Sequence, residues 1–258
     1  MRNILAVAGI VIKEMYRRKD FYVLFVLIVL ICGIMAFVNI FHDKDIVRYL
    51  KAICLLLIWI ASLVIAITTT ARQIPAEKEN RTLLPLLAKP LTRTELLLGK
   101  FLGCWVVCGL ALFLFYLFFG ALAASREHRW PLINYVQAAG LHWVMLGVII
   151  AMTLLGSLVF AAPSSTNTIC FVVVTGILLL GQHLHKVAQN LPEPKQSILS
   201  AIYFAIPHLE MGDIRNLIVQ NWPPVPWSVC GVVIIYALAY TAAFLIAACL
   251  VFRRRALN

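Results

Sequence analysis

The fold is decided by residues 50–71, which read LKAICLLLIWIASLVIAITTTA. Apart from Lys51 near its start, this stretch carries no charged residue. A helix of about 20 apolar residues crosses the roughly 30 Å of hydrocarbon in a bilayer. Residues 50–71 are therefore predicted to form a transmembrane helix.

Similar apolar stretches recur along the chain. The predicted spans are residues 21–41, 50–71, 96–124, 142–162, 169–185 and 229–252. Of the 258 residues, 62% are hydrophobic and 13% are charged, whereas a soluble domain is about half apolar and about a quarter charged. The sequence predicts an all-α integral membrane protein in which residues 1–258 form one domain with six transmembrane helices.

The formal net charge of +11 reflects basic residues that flank the apolar stretches. Fourteen of the 22 Lys and Arg residues lie in segments 1–20, 72–100 and 253–255. Because basic residues concentrate on the cytoplasmic side of membrane proteins, these segments and both termini are predicted to be cytoplasmic. No nucleic-acid-binding motif accompanies the charge, so we do not expect a nucleic-acid partner.

Residues 1–20 are predicted to form an interfacial helix. Apolar residues recur at helical spacing, and basic residues crowd its end. The apolar set is Ile4, Ala8, Val11 or Ile12, and Met15, and the basic set is Lys13, Arg17, Arg18 and Lys19. Such a helix suits the surface of an anionic lipid leaflet. The alternative is an ordinary basic flank before the first span.

The longest predicted outer loop is 186–227. It contains the apolar stretch Ser197–Ile206, which lies between two prolines. Ten helical residues reach only about 15 Å, half of the hydrocarbon thickness. This stretch is predicted to be a re-entrant or interfacial helix, and a packed extracellular loop is the alternative.

The predicted cytoplasmic segment 72–95 reads RQIPAEKENRTLLPLLAKPLTRTE. Pro85 and Pro90 interrupt any long helix. Thr92 and Glu95 have the spacing of a capping box, which predicts that a new helix begins there. The pattern indicates a short coupling helix, a turn, and a helix that rises into the membrane. Leucines beside mixed charges suit docking into a groove of a soluble partner.

This segment resembles the cytoplasmic loop of ABC-2 type transporter permeases, particularly those of nitrous-oxide-reductase maturation and of bacterial efflux. The residues that carry the resemblance are Glu77, Glu79, Arg81, Thr82, Leu83, Leu86, Leu87, Pro90, Arg93, Glu95, Gly99 and Lys100. The resemblance extends to residues 206–210, where His208 stands in place of a frequent Asn. Pro85 departs from the family pattern and shortens the expected loop helix.

The resemblance implies a permease subunit of a bacterial plasma (inner) membrane transporter. Such permeases pair with a second copy or a related permease, and each rests on a cytoplasmic ABC ATPase that binds ATP and Mg. The residues expected to couple to that ATPase are Glu77, Glu79, Arg81, Thr82, Leu83, Leu86, Leu87, Pro90 and Arg93. No cofactor, metal-binding or catalytic residue is expected in this chain. Independently, the sequence lacks a phosphate-binding Gly-x-x-x-x-Gly-Lys-Ser/Thr loop.

Three alternatives to export by such a permease stay open. In the first, the permease dimer would relay force to a periplasmic partner through loop 186–227 instead of moving cargo across the membrane. An intramembrane enzyme would need a nucleophile, base or metal site, and its candidates are His142, His183, His185 and His208, with Ser157 and Thr68–Thr70. A channel is disfavoured because no span carries the charged residues of an ion pathway. The sequence does not identify a substrate.

Overall fold

The computed structural model describes residues 2–16, 44–79, 92–127, 131–160, 162–189 and 206–254, with five isolated positions between 22 and 33. Within these ranges the regular structure is helical and contains no strand. The helices are α1 (Arg2–Tyr16), α2 (Lys44–Ala71), α3 (Pro75–Glu79), α4 (Arg93–Glu127), α5 (Leu132–Val159), α6 (Pro163–Gln189), α7 (Arg215–Val219) and α8 (Trp227–Arg254). A 3-10 turn at Leu209–Gly212 precedes α7.

Four described stretches are long and apolar enough to cross a membrane. They are Val47–Glu77, Arg93–Ser125, Leu132–Val159 and Trp227–Arg254. They overlap the spans predicted at 50–71, 96–124, 142–162 and 229–252, so the membrane class is confirmed. The span predicted at 169–185 lies within α6, whose shorter apolar part is Pro163–Leu179. The span predicted at 21–41 lies almost entirely outside the described residues, and the total of six stays a prediction.

Helix α5 begins at Leu132, ten residues before the predicted start of its span at His142. This first part contains the polar residues Asn134 and Gln137. In the structure both side chains are buried and bond to backbone atoms of residues 222–225. Buried polar groups with such partners are compatible with a packed helix.

Two tryptophans join α4 to α5. Trp105 Nε1 donates to the Trp143 carbonyl at 3.0 Å, and Trp143 Nε1 donates to the Trp105 carbonyl at 2.9 Å. The rings stack with their centroids 4.6 Å apart. A Cβ at Gly109 would lie 2.5 Å from Trp143 Nε1, so the absence of a side chain there permits the close approach.

Helix α1 runs parallel to the beginning of α4. Val7 lies against Gly99 and Val11 lies against Gly103, where a Cβ would come within 2.6 Å and 2.7 Å of the two valine Cβ atoms. Glycines four residues apart let two helices approach closely in a membrane. The predicted helix within residues 1–20 is present, and its position at the membrane surface stays a prediction.

Among the described residues, the last helix, α8, packs mainly on α5 and makes fewer contacts with α4. It is also the least buried of the four candidate spans. Within this part of the chain, α5 is therefore its main support.

Candidate coupling site

The α4 base, residues 93–103, contains a buried lysine. The side chain of Lys100 is 3% exposed, and its Nζ lies 2.7 Å from Glu77 Oε1. It also donates to the Gln73 carbonyl at 2.8 Å and to Gln73 Oε1 at 3.2 Å. An ammonium group has three N–H donors, and three acceptors surround this one.

The chain after α2 brings these acceptors to Lys100. Helix α2 ends at Ala71, and a turn follows in which the Gln73 amide donates to the Thr70 carbonyl at 3.1 Å. Pro75 then begins α3, because proline is favoured at the first position of a helix. Glu77, in the middle of α3, consequently faces α4.

The Glu77–Lys100 pair fixes α3 to α4. A buried lysine needs a compensating partner, because an unpaired charge away from water is costly. Glu77 is 20% exposed, so the pair lies at the edge of the packed interior. Separating α3 and the turn that precedes it from α4 would break the ion pair and the two hydrogen bonds to Gln73 together.

The start of α4 has the predicted capping box. The Glu95 amide donates to Thr92 Oγ1 at 3.2 Å, and the Thr92 amide donates to Glu95 Oε2 at 2.9 Å. Each side chain thus bonds to the other residue's backbone, as a capping box requires. This fixes the backbone around Arg93.

Arg93 faces the end of α8. Its Nη1 donates to the carbonyls of Phe252 at 2.8 Å and of Arg253 at 3.2 Å. Its guanidinium carbon lies 5.7 Å from the centroid of the Phe252 ring. The side chain therefore connects two helices of this chain.

The structure places two of the nine predicted coupling residues in detail. Glu77 and Arg93 lie at the two ends of the loop, and each contacts α4 or α8 within the chain. Glu79 is the last residue of α3, and its side chain lies outside the description. The remaining residues, Arg81, Thr82, Leu83, Leu86, Leu87 and Pro90, lie outside the described residues. Their coupling role stays a prediction.

No functional role was predicted from the sequence for three residues of this site, namely Gln73, Lys100 and Gly103. Lys100 was noted only as part of the family pattern, although a lysine within an apolar helix signals a buried partner. Gly99 and Gly103 have the Gly-x-x-x-Gly spacing, which could have indicated a helix contact. Gln73 carried no recognisable signal.

At the opposite end of α2, the long-loop segment, residues 206–226, is fixed to the helices. Lys51, 2% exposed, donates through Nζ to Asn221 Oδ1 at 2.9 Å. Gln137 bonds to both backbone groups of Val225, at 2.8 Å and 3.1 Å. Asn134 donates to the Trp222 carbonyl at 3.0 Å.

Further contacts connect this segment to α2 and α8. The guanidinium of Arg215 lies 5.1 Å from the Trp59 ring centroid and bonds to both carboxylate oxygens of Asp213. The His208 amide donates to the Tyr236 hydroxyl at 2.9 Å, and the two rings stack. Residues 206–226 thus form a packed surface element. The predicted re-entrant stretch Ser197–Ile206 lies outside the described residues except for Ile206.

A buried Ser62–His142 pair is the arrangement closest to an enzyme site. Ser62 Oγ lies 2.9 Å from His142 Nε2 and also donates to the Trp59 carbonyl at 2.9 Å. Within the described part of the chain, His142 Nδ1 has no hydrogen-bond partner. The third group that orients a catalytic histidine is therefore lacking there. Among the same residues, no group of three His, Cys, Asp or Glu side chains is placed to hold a metal ion.

Comparison with known proteins agrees with the family resemblance noted for residues 72–95. The chain matches the family model described as ABC-2 family transporter protein over residues 5–257. No curated protein matches the chain. The match covers nearly the whole sequence and includes the four candidate spans and the α4 base. The chain therefore belongs to the ABC-2 transporter family, and it is a membrane permease subunit of an ABC transporter.

Proposed function

We propose that this permease couples ATP hydrolysis by a separate cytoplasmic ATPase to the export of a substrate. It acts as a dimer, with a second copy or a related permease, in a bacterial inner membrane. Both termini and the loop between α2 and α4 face the cytoplasm. Family membership and the basic residues around this loop support the proposal. The closer similarity to permeases of nitrous-oxide-reductase maturation stays a prediction.

The observation that carries the proposal is the buried attachment of α3 to the α4 base. A protein that pushes on residues 80–91 moves α3, and the Lys100 bonds to Glu77 and Gln73 oppose any separation of α3 and its preceding turn from α4. The displacement therefore reaches the membrane helices α2 and α4 together. Without such attachments, the same force would change the conformation of the connecting segment and would not move the membrane helices.

The test is a charge reversal in the loop, measured in the complex with the ATPase. Arg81→Glu should lower the ATPase activity of the reconstituted complex several-fold and weaken its assembly, because Arg81 belongs to the predicted docking surface. Arg48→Glu is the matched control, since Arg48 is an exposed arginine near the other end of α2. Normal membrane insertion with unchanged ATPase activity and assembly for Arg81→Glu would refute the proposal.

Force relay to a periplasmic partner is the second candidate, and one observation favours it. Helix α2 leads into α3 at one end, and near the other end it contacts the long-loop segment through Lys51 and Trp59. A movement of α2 therefore reaches that segment directly. Binding of a periplasmic protein that is lost in Arg215→Glu, while no solute crosses the membrane in vesicles, would favour relay over export.

A further inference from the structure

The contact between Arg93 and the end of α8 has a consequence for how α8 moves. The last four carbonyls of a helix have no partner within that helix. Phe252 and Arg253 supply two of these carbonyls, since α8 ends at Arg254. Arg93 Nη1 bonds to both, at 2.8 Å and 3.2 Å. A positive group at this position also interacts favourably with the helix dipole.

Arg93 is itself held firmly at the beginning of α4. The reciprocal hydrogen bonds between Thr92 and Glu95 enclose it. The aromatic ring beneath its guanidinium belongs to Phe252, which is 1% exposed and thus fixed in the packed interior. The contact therefore joins the capped first turn of α4 to a buried residue at the end of α8, which lets displacement pass between the two helices.

The remaining packing of α8 makes this contact important. Among the described residues, α8 packs mainly on α5 and contacts α4 less extensively. Arg93 is the first residue of α4 and follows residue 91 by only two positions in the sequence. A displacement of the start of α4 therefore reaches the end of α8 directly through Arg93, without passing through α5.

We propose that Arg93 is a positioning residue that makes α8 move together with the start of α4 when the ATPase changes state. This inference rests on the proposed coupling function. It assigns Arg93 an action within the chain, where the family resemblance implied a contact with the ATPase. Because α8 begins immediately after the long-loop segment, the same link carries motion from the α4 base to residues 222–227.

Hydrogen exchange measured by mass spectrometry tests the proposal on the permease–ATPase complex in lipid nanodiscs. Exchange is compared with Mg-ADP and with a non-hydrolysable ATP analogue, in peptides covering residues 73–79 and 246–254. In the wild type, the analogue should change exchange in both peptides. In Arg93→Gln, the response of 73–79 should persist and the response of 246–254 should fall several-fold. Arg254→Gln is the matched control, because Arg254 is exposed at the same helix end and should leave both responses intact.

The conservative variant Arg93→Lys tests whether the contact between Arg93 and the end of α8 carries the movement, as opposed to only stabilising that helix end. A lysine keeps the positive charge and one donor group, so the response of 246–254 should be partly retained. An unchanged response of 246–254 in both Arg93 variants, with a normal response of 73–79, would overturn this proposal alone. A wild-type complex without a response in either peptide would refute the coupling function and this inference with it.

Discussion

Replacing Lys100 by methionine should release α3 from the α4 base. Methionine has a similar length, so little packing is lost, but the Glu77 carboxylate and the Gln73 carbonyl lose their shared donor. Removing one partner of a buried ion pair costs roughly 3–5 kcal/mol. Because the Glu77 side chain as a whole is 20% exposed, we expect the low end of that range, about 3 kcal/mol.

This magnitude predicts a measurable opening of α3. A change of about 3 kcal/mol shifts an equilibrium roughly 100-fold, since each 1.4 kcal/mol is a factor of ten. Amide exchange in residues 73–79 should accelerate by a similar factor in Lys100→Met, because exchange there reports local opening. Hydrogen exchange with mass spectrometry on the purified permease in nanodiscs measures it.

The matched variants identify the cause. Lys13→Met removes an exposed lysine of α1 and should leave exchange in residues 73–79 unchanged. The double variant Glu77→Gln with Lys100→Met removes both charges, so it should recover most of the protection lost in the single variant. Wild-type exchange in Lys100→Met, or no recovery in the double variant, would show that the ion pair does not hold α3.

Two further predictions concern helix packing and the long-loop segment. Gly103→Leu should lower the stability by about 1–3 kcal/mol in thermal unfolding in detergent, because a Cβ there would lie 2.7 Å from Val11 Cβ. Gly140→Leu is its control, since a Cβ at Gly140 meets nothing within 4 Å, and equal losses in both variants would contradict the reasoning. Gln137→Leu removes both hydrogen bonds to the backbone of Val225. At about 1 kcal/mol for each bond, exchange of the Val225 amide should accelerate by roughly 30-fold, and unchanged exchange would show that other contacts hold this segment.

The predicted membrane class followed from local properties alone. As a helix, the apolar residues 50–71 are long enough to cross the hydrocarbon layer of a bilayer. Such an apolar surface is stable where hydrocarbon, and not water, surrounds it. The prediction of where α4 begins was equally local. Thr92 and Glu95 are three residues apart, and their hydrogen bonds form within one helical turn. The resemblance to the family was also local, because it was carried mainly by the order of residue types between residues 77 and 100.

The first turns of α5 are a feature that the sequence did not predict. Asn134 and Gln137 are polar residues that precede the span predicted at 142–162. Their acceptors and donors lie 88 residues away in the sequence, at Trp222 and Val225. A buried amide is acceptable in a helix only when such partners are in place, and the sequence does not specify which distant backbone groups will meet it.

The sequence by itself determined that this chain crosses a membrane as helices, and it determined the family and the start of α4, because each depends on neighbouring residues. Only the tertiary structure decided that Glu77 pairs with Lys100 and that Arg93 contacts the end of α8. These pairings depend on how helices are arranged about one another, and that arrangement arises from packing between distant segments, such as Val7 and Val11 against Gly99 and Gly103.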